Sequence, residues 1–140
     1  MAVRKEWKRE RNELGARRPK AREHGGMHRL LYIEDNPVNV VIVEELLTTR
    51  PDIELRVSRT GALGLQLAAD WQPALVLLDE RLPDAQGSAL LPQLRLLLPQ
   101  ARLVSLSAGD GELTGFDACW RKPLDFGVFH ATLQVWLPPE

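Results

Sequence analysis

Short apolar runs alternate with longer stretches that carry apolar residues at helical spacing, and this alternation constrains the fold more than any other feature. It begins at Arg29 and ends at the Pro138-Pro139 pair. The most continuous run, residues 74–78, is apolar throughout, as expected for a strand buried on both faces of a sheet. Such strands separated by helices form βαβ units, in which helices cover a parallel sheet. The pattern therefore predicts an α/β fold with a doubly wound parallel sheet.

Five strands and four helices are predicted from this pattern. The strands are expected at residues 30–33, 53–57, 74–78, 103–106 and 119–121. The helices are expected to begin at Asn36, Thr60, Ser88 and Asp125, residue types that can cap a helix. The residues at helical spacing in the first helix are Val38, Val41, Ile42, Glu45 and Leu46, and in the last helix Phe126, Phe129, Leu133 and either Trp136 or Leu137.

The length of 140 residues favours one compact domain. Cys119 is the single cysteine, so no internal disulfide can form, and a reducing compartment is the natural environment. No apolar run approaches the ~20 residues of a membrane span, and the N-terminus is charged where a signal peptide would be apolar. We therefore expect a cytoplasmic protein without membrane contact.

Charge divides the chain into two parts. Residues 1–26 carry nine Lys or Arg and four Glu, whereas residues 27–140 carry nine Lys or Arg and fifteen Asp or Glu. The first part has little apolar material, so residues 1–27 are expected to form a basic, flexible tail. Val3, Trp7 and Leu14 are spaced for a short amphipathic helix there. A solvated linker is favoured over an arm that binds nucleic acid or an acidic partner.

Polar side chains follow four of the predicted strands. Glu34 and Asp35 follow the first, Asp79 the third, Ser107 the fourth and Lys122 the fifth. The carboxyl ends of parallel strands form the crevice where ligands bind, so these residues are expected to converge. Three carboxylates repel one another unless a cation joins them, and an all-oxygen site suits Mg²⁺. An ammonium and a hydroxyl beside such a site are suited to holding a phosphoryl group.

The segments that carry these residues are LLYIEDNPVNV, LVLLDERLPDAQG, LVSLSA and GFDACWRKPLD. Together they resemble the receiver (CheY-like) domain of two-component response regulators, particularly the receivers of hybrid sensor histidine kinases. The resemblance covers residues 28 to about 137, and a receiver domain is expected over residues 28–138. It implies a flavodoxin-like (βα)5 fold with strand order 2-1-3-4-5.

The resemblance implies that Asp79 accepts a phosphoryl group from a phosphohistidine on a histidine kinase or phosphotransfer protein. Asp35, Asp79 and the backbone carbonyl of Arg81 would hold Mg²⁺, with Glu34 helping through water, and Ser107 and Lys122 would contact the phosphoryl group. Such a protein is a stoichiometric phosphoacceptor rather than an enzyme. Its partner is expected to be a protein, with a homodimer as a further option and nucleic acid not expected. Because little sequence flanks the domain, no output domain is expected on this chain.

Two departures from the family pattern lie between Ser107 and Lys122. The interval is shorter than usual, and residues 108–115 contain three glycines, so the fourth helix is expected to be shortened or absent. Cys119 stands where the family usually has the tyrosine or phenylalanine that changes rotamer on phosphorylation. We therefore expect weakened coupling between Ser107 and the face formed by the last strand and helix.

Two other functions remain open. A degenerate receiver could act as a protein-protein binding module without phosphorylation, as the short fourth helix and Cys119 suggest. A phosphohydrolase with Asp79 as nucleophile would need an acid two residues further on, but that residue is Arg81, which is a poor proton donor. The phosphoacceptor receiver is therefore favoured over both.

Overall fold

The computed structural model of this chain describes residues 27–109 and 113–139. Five strands form one sheet in the order β2-β1-β3-β4-β5, and every pair of neighbours is parallel. The strands are β1 (His28–Ile33), β2 (Ile53–Ser58), β3 (Leu75–Asp79), β4 (Arg102–Ser107) and β5 (Ala118–Arg121). The predicted α/β fold and its strand order are confirmed.

Four α-helices connect or follow these strands. They are α1 (Pro37–Leu46), α2 (Gly61–Trp71), α3 (Leu91–Leu97) and α4 (Phe126–Trp136), with 3-10 turns at Leu47–Thr49 and Gly87–Leu90. The side chains of Asn36, Thr60 and Asp125 accept hydrogen bonds from the first free N–H groups of α1, α2 and α4. These three predicted caps are confirmed, and each satisfies a donor that the helix itself leaves unpaired.

The sheet separates two hydrophobic cores. Alternate residues of each strand point to opposite faces, so neighbouring leucines such as Leu30 and Leu31 enter different cores. One core lies under α1 and α4 and includes Val43, Phe129 and Leu133. The other lies under α2 and α3. Burial on both faces explains why β3 is apolar from Leu75 to Leu78.

Most of the residues that show helical spacing in α1 do not face the core. Val38, Val41 and Ile42 are 64%, 58% and 36% exposed, while Val43 is buried. Apolar residues surround this helix, so their spacing identifies a helix without fixing its rotation. The exposed residues share one face because they are three and four positions apart. Packing of Val43 under the sheet sets the rotation instead.

Two smaller expectations also fail. Ser88 does not cap α3, because its N–H and hydroxyl both donate to the Glu80 carboxylate, at 2.8 and 2.9 Å. The α-helix begins later, at Leu91, with a proline in its first turn. Phe126 is 53% exposed, although its spacing placed it on the same side of α4 as Phe129 and Leu133, which are buried. It occupies the first position of that helix, where the chain has not yet turned toward the core.

The described residues of the β4–β5 connection, 108–109 and 113–117, contain no helix. This agrees with the expectation of a shortened or absent fourth helix. The basic segment 1–26, with its predicted short helix, lies outside the described residues. Over the part of the chain that the structure describes, no helix is long and apolar enough to span a membrane.

Candidate functional site

Three of the predicted site residues meet at the carboxyl edge of the sheet. Asp79 ends β3, Glu34 follows β1, and Lys122 follows β5. Lys122 Nζ lies 2.9 Å from Asp79 Oδ1 and 3.5 Å from Glu34 Oε1. Since β3 and β1 are neighbours and β5 lies two strands away from β3, only the long lysine side chain can bridge them. The site therefore holds one ammonium between two buried carboxylates.

Glu34 is 1% exposed and its carboxylate is surrounded by donors. The Tyr32 hydroxyl donates to Oε1 at 2.9 Å, and the Asn39 amide donates to the same oxygen at 3.3 Å. The backbone N–H of Asn36 donates to Oε2 at 3.0 Å. With Lys122 nearby, these donors compensate the desolvation of a buried charge. Burial, followed by the neighbouring Glu34 charge, raises the pKa of Tyr32 well above its ordinary value, so its hydroxyl remains a donor.

Asp79 is 4% exposed and is followed by a loop that runs to Gly87. The N–H of Arg81 approaches Asp79 Oδ1 at 3.4 Å. At the end of this loop, a Cβ on Gly87 would lie 2.3 Å from the carbonyl oxygen of Asp79. No residue with a side chain fits there without moving the backbone of Asp79. Sequence reasoning missed Gly87, although a glycine a few residues after a strand-ending aspartate is a readable signal for close backbone approach.

A second missed residue, Asp84, joins this loop to the neighbouring helix. Its carboxylate accepts hydrogen bonds from the N–H groups of Gly61 and Ala62, at 2.8 and 2.9 Å, at the start of α2. These two N–H groups hold the pKa of Asp84 below its ordinary value. The interaction is not visible in the sequence, because the two segments are more than twenty residues apart.

The other predicted site residues lie at the same edge but make different contacts. Asp35 is exposed, immediately after Glu34. The hydroxyl of Ser107 accepts from the N–H of Gly109 at 3.0 Å, and its carbonyl accepts from the N–H of Lys122 at 2.9 Å. The structure thus joins Ser107 to Lys122 through the backbone, not through the hydroxyl.

The donor chemistry of this edge can be compared with what Mg²⁺ requires. Among the described residues, no group of three or more His, Cys, Asp and Glu side chains is arranged to hold a metal ion. Mg²⁺ needs fewer protein ligands, because it keeps several waters and binds through one or two carboxylates. Asp35, Asp79 and the carbonyl of Arg81 provide oxygen donors of this kind. The Glu34 carboxylate already accepts hydrogen bonds from three protein groups.

Comparison with curated proteins finds partial matches, and no protein-family model matches the chain. It is 26% identical over 100 residues to protein-glutamate methylesterase/protein-glutamine glutaminase 3 of Vibrio cholerae, covering 70% of this chain and 28% of that protein. It is 32% identical over 84 residues to the nitrate/nitrite response regulator protein NarL of Escherichia coli, covering 59% and 39%. The chain therefore spans well under half the length of these relatives.

Solved structures give fuller coverage. A response regulator receiver domain (CheY-like) from Methylobacillus flagellatus is 26% identical, with a TM-score of 0.69, over 79% of this chain and 98% of that one. The chain has the fold of response regulator receiver domains. The receiver domain of a Pseudomonas aeruginosa sensor histidine kinase, solved with a magnesium ion in its active site cleft, is 22% identical with a TM-score of 0.69, over 80% and 98%. The resemblance to receivers is confirmed, while the closer relation to hybrid kinases stays a prediction.

Proposed function

We propose that this chain is a phosphoacceptor of a two-component phosphorelay and that Asp79 takes a phosphoryl group from a phosphohistidine. The donor would be a histidine kinase or a phosphotransfer protein. The observation that carries the proposal is the 2.9 Å approach of Lys122 Nζ to the buried Asp79 carboxylate. A structural ion pair alone would not require the second carboxylate, Glu34, to be buried beside it.

The transfer is a single displacement. An oxygen of Asp79 attacks phosphorus, a P–O bond forms, and the P–N bond to the donor imidazole breaks. The imidazole leaves with the bonding electron pair. If its other nitrogen carries no proton, it takes one from water and becomes neutral. Lys122 offsets charge on the phosphoryl oxygens. The Ser107 hydroxyl accepts from the Gly109 N–H and keeps its own proton, which it can donate to a phosphoryl oxygen.

Charge explains why a divalent cation belongs in this proposal. Glu34, Asp35 and Asp79 carry three negative charges against the single positive charge of Lys122, and an incoming phosphoryl group adds more. Asp35, Asp79 and the Arg81 carbonyl would hold Mg²⁺, with Glu34 acting through water. Bound there, Mg²⁺ would supply the positive charge that lets an anionic donor approach.

The exposed face of α1 supports a helical partner at this site. Val38, Val41 and Ile42 form an apolar surface that begins three residues after Asp35. An exposed apolar face directly beside a polar cleft is typical of a protein-binding surface. We propose that it packs against the helix that carries the phosphohistidine.

The donor's phosphoryl group originates from ATP, so the proposed location of the protein is the cytoplasm. The homodimer and the role as a stoichiometric acceptor, not an enzyme with turnover, also remain predictions.

A second candidate is a binding module that works without phosphorylation. The contact that favours it is on β5, where Cys119 Sγ donates to the carbonyl of Leu113 at 3.2 Å. This interaction ties the β4–β5 connection to the sheet at the position where receivers usually have an aromatic switch residue.

Intact mass after incubation with acetyl phosphate and Mg²⁺ separates the two candidates. The phosphoacceptor predicts one adduct that hydroxylamine removes, because an acyl phosphate reacts with this nucleophile. The adduct should be absent from Asp79→Asn and from a sample with EDTA. No adduct on the natural chain, together with no binding of beryllofluoride, would contradict the proposal and favour the binding module.

A further inference from the structure

Tyr32 is the only tyrosine in the chain and lies on β1, 2% exposed. Its ring belongs to the core under α1 and α4. Packing alone does not explain the hydroxyl, because phenylalanine would fill the same space and avoid burying a polar atom. The hydroxyl donates at 2.9 Å to Glu34 Oε1, two residues further along the same side of the strand. Tyr32 thus connects the core to the proposed phosphorylation site.

The contacted oxygen is the one that faces Lys122. Glu34 Oε1 accepts from Tyr32 at 2.9 Å, while Lys122 Nζ remains 3.5 Å away from it. The same Nζ lies 2.9 Å from Asp79 Oδ1. Two buried carboxylates therefore compete for one ammonium, and the carboxylate that already has a neutral donor holds the lysine less closely.

We propose that Tyr32 is a positioning residue that keeps Lys122 on Asp79 by occupying Glu34 Oε1. The inference rests on the proposed phosphoacceptor function of Asp79 and deepens it. Without the hydroxyl, Oε1 keeps the 3.3 Å hydrogen bond from Asn39 and the 3.5 Å ion pair with Lys122. A buried carboxylate oxygen that lacks donors is costly, so the nearest cation moves toward it. Lys122 would then move from Asp79 toward Glu34 and away from the incoming phosphoryl group.

The first test compares Tyr32→Phe with the natural chain in phosphorylation by acetyl phosphate. The maximal rate at saturating Mg²⁺ should fall roughly tenfold, less than the 10²–10³ lost when a transition-state donor is removed entirely. The Mg²⁺ concentration that gives half the maximal rate should not rise, because the substitution removes no proposed metal ligand and moves a positive charge away from Asp79. A rate equal to that of the natural chain would overturn the proposal.

The matched control is Ser105→Ala, which also removes a hydroxyl from a buried strand residue. Ser105 is 1% exposed, and its Oγ has no hydrogen-bond partner among the residues that the structure describes. The variant should phosphorylate at the natural rate, which shows that losing a core hydroxyl does not by itself slow the reaction. An equal slowing in Ser105→Ala and Tyr32→Phe would assign the effect to general core disturbance and overturn the specific role.

A second measurement needs neither metal nor phosphorylation. With [ζ-13C]tyrosine the protein gives one Cζ resonance, because Tyr32 is the only tyrosine. Glu34→Gln should shift this resonance, since it replaces the charged acceptor, whereas Ser105→Ala should leave it unchanged. An unshifted resonance in Glu34→Gln would overturn the Tyr32–Glu34 contact. If the natural chain takes no adduct while the resonance shifts, the proposed function fails and the contact stands, so the two failures are distinguishable.

Discussion

Two regions of the molecule are stabilised by different kinds of contact. The first region is the carboxyl ends of β1 and β3, and the second region is the connection between β4 and β5. Around Glu34 and Asp79, buried carboxylates are held by a tyrosine, an asparagine, backbone N–H groups and one lysine. The β4–β5 connection has no helix in its described residues and is held by side chains that reach its backbone. The first region thus brings together three charged residues of the proposed phosphoacceptor site, while the second departs from the usual pattern of receiver domains.

The contacts of the β4–β5 connection centre on Asp117, which pairs with Arg95 at 3.0 Å and with Arg102 at 3.6 Å. Arg95 on α3 donates to the carbonyl of Gly115 at 2.9 Å and to Asp117 at 3.0 Å. Asp117 also accepts from the N–H of Leu103 on β4 at 2.8 Å. These interactions join α3, β4 and the start of β5 directly. They fix the end of the connection that leads into β5, so the two regions can be tested separately.

Asp79→Asn should have the largest effect, and this effect should be confined to the first region. We expect complete loss of the hydroxylamine-labile adduct, because an amide cannot form an acyl phosphate. Intact mass checks the adduct, and amide exchange checks the fold. Retained phosphorylation on another residue would contradict the assignment of Asp79 as acceptor.

Lys122→Met should destabilise the fold, because it leaves Glu34 and Asp79 buried without their cation. We expect about 2 kcal/mol less stability in urea unfolding, below the ~3–5 kcal/mol for a fully buried pair because Lys122 is 28% exposed. Lys122→Arg is the control, since it keeps the charge. Equal stability of the methionine variant and the natural chain would show that solvent already screens these carboxylates.

Asp117→Asn should loosen the second region and leave phosphorylation intact. Burial opposes ionisation of Asp117, but the Leu103 N–H and Arg95 outweigh it, so its pKa lies below the ordinary value. A lowered folded pKa gives stability that is present above the unfolded pKa of about 3.9 and is lost as pH falls through the folded value.

The loss should be about 1 kcal/mol at pH 7, typical of hydrogen bonds to a charged group that is partly exposed. The stability difference between Asp117→Asn and the natural chain should shrink as the pH falls below about 5. Urea unfolding at several pH values measures it. A difference that grows in acid would contradict the stabilising role of the charged form.

Sequence analysis predicted the two regions unequally. The parallel sheet and the positions of Glu34, Asp79 and Lys122 follow from polar residues at the ends of apolar runs, a pattern that depends only on local sequence. The strand order came from the resemblance to receiver domains. The rotation of α1 was not predictable, because Val38 and Val43 are equally apolar and only packing distinguishes them. The Tyr32–Glu34 contact was missed since a tyrosine in a buried strand is usually interpreted as packing.

The smallest expected effect concerns the coupling between the regions. If Cys119 replaces the aromatic switch with a fixed contact to Leu113, phosphorylation should alter the first region and leave the second nearly unchanged. Beryllofluoride with Mg²⁺ imitates the phosphorylated state, and amide exchange can be followed in each element. Exchange should slow around Asp79, whereas residues 113–117 and α4 should change little. A joint change of 113–117 and α4 would show that the coupling is preserved by another route, with the Ser107–Gly109 contact as the first link to examine.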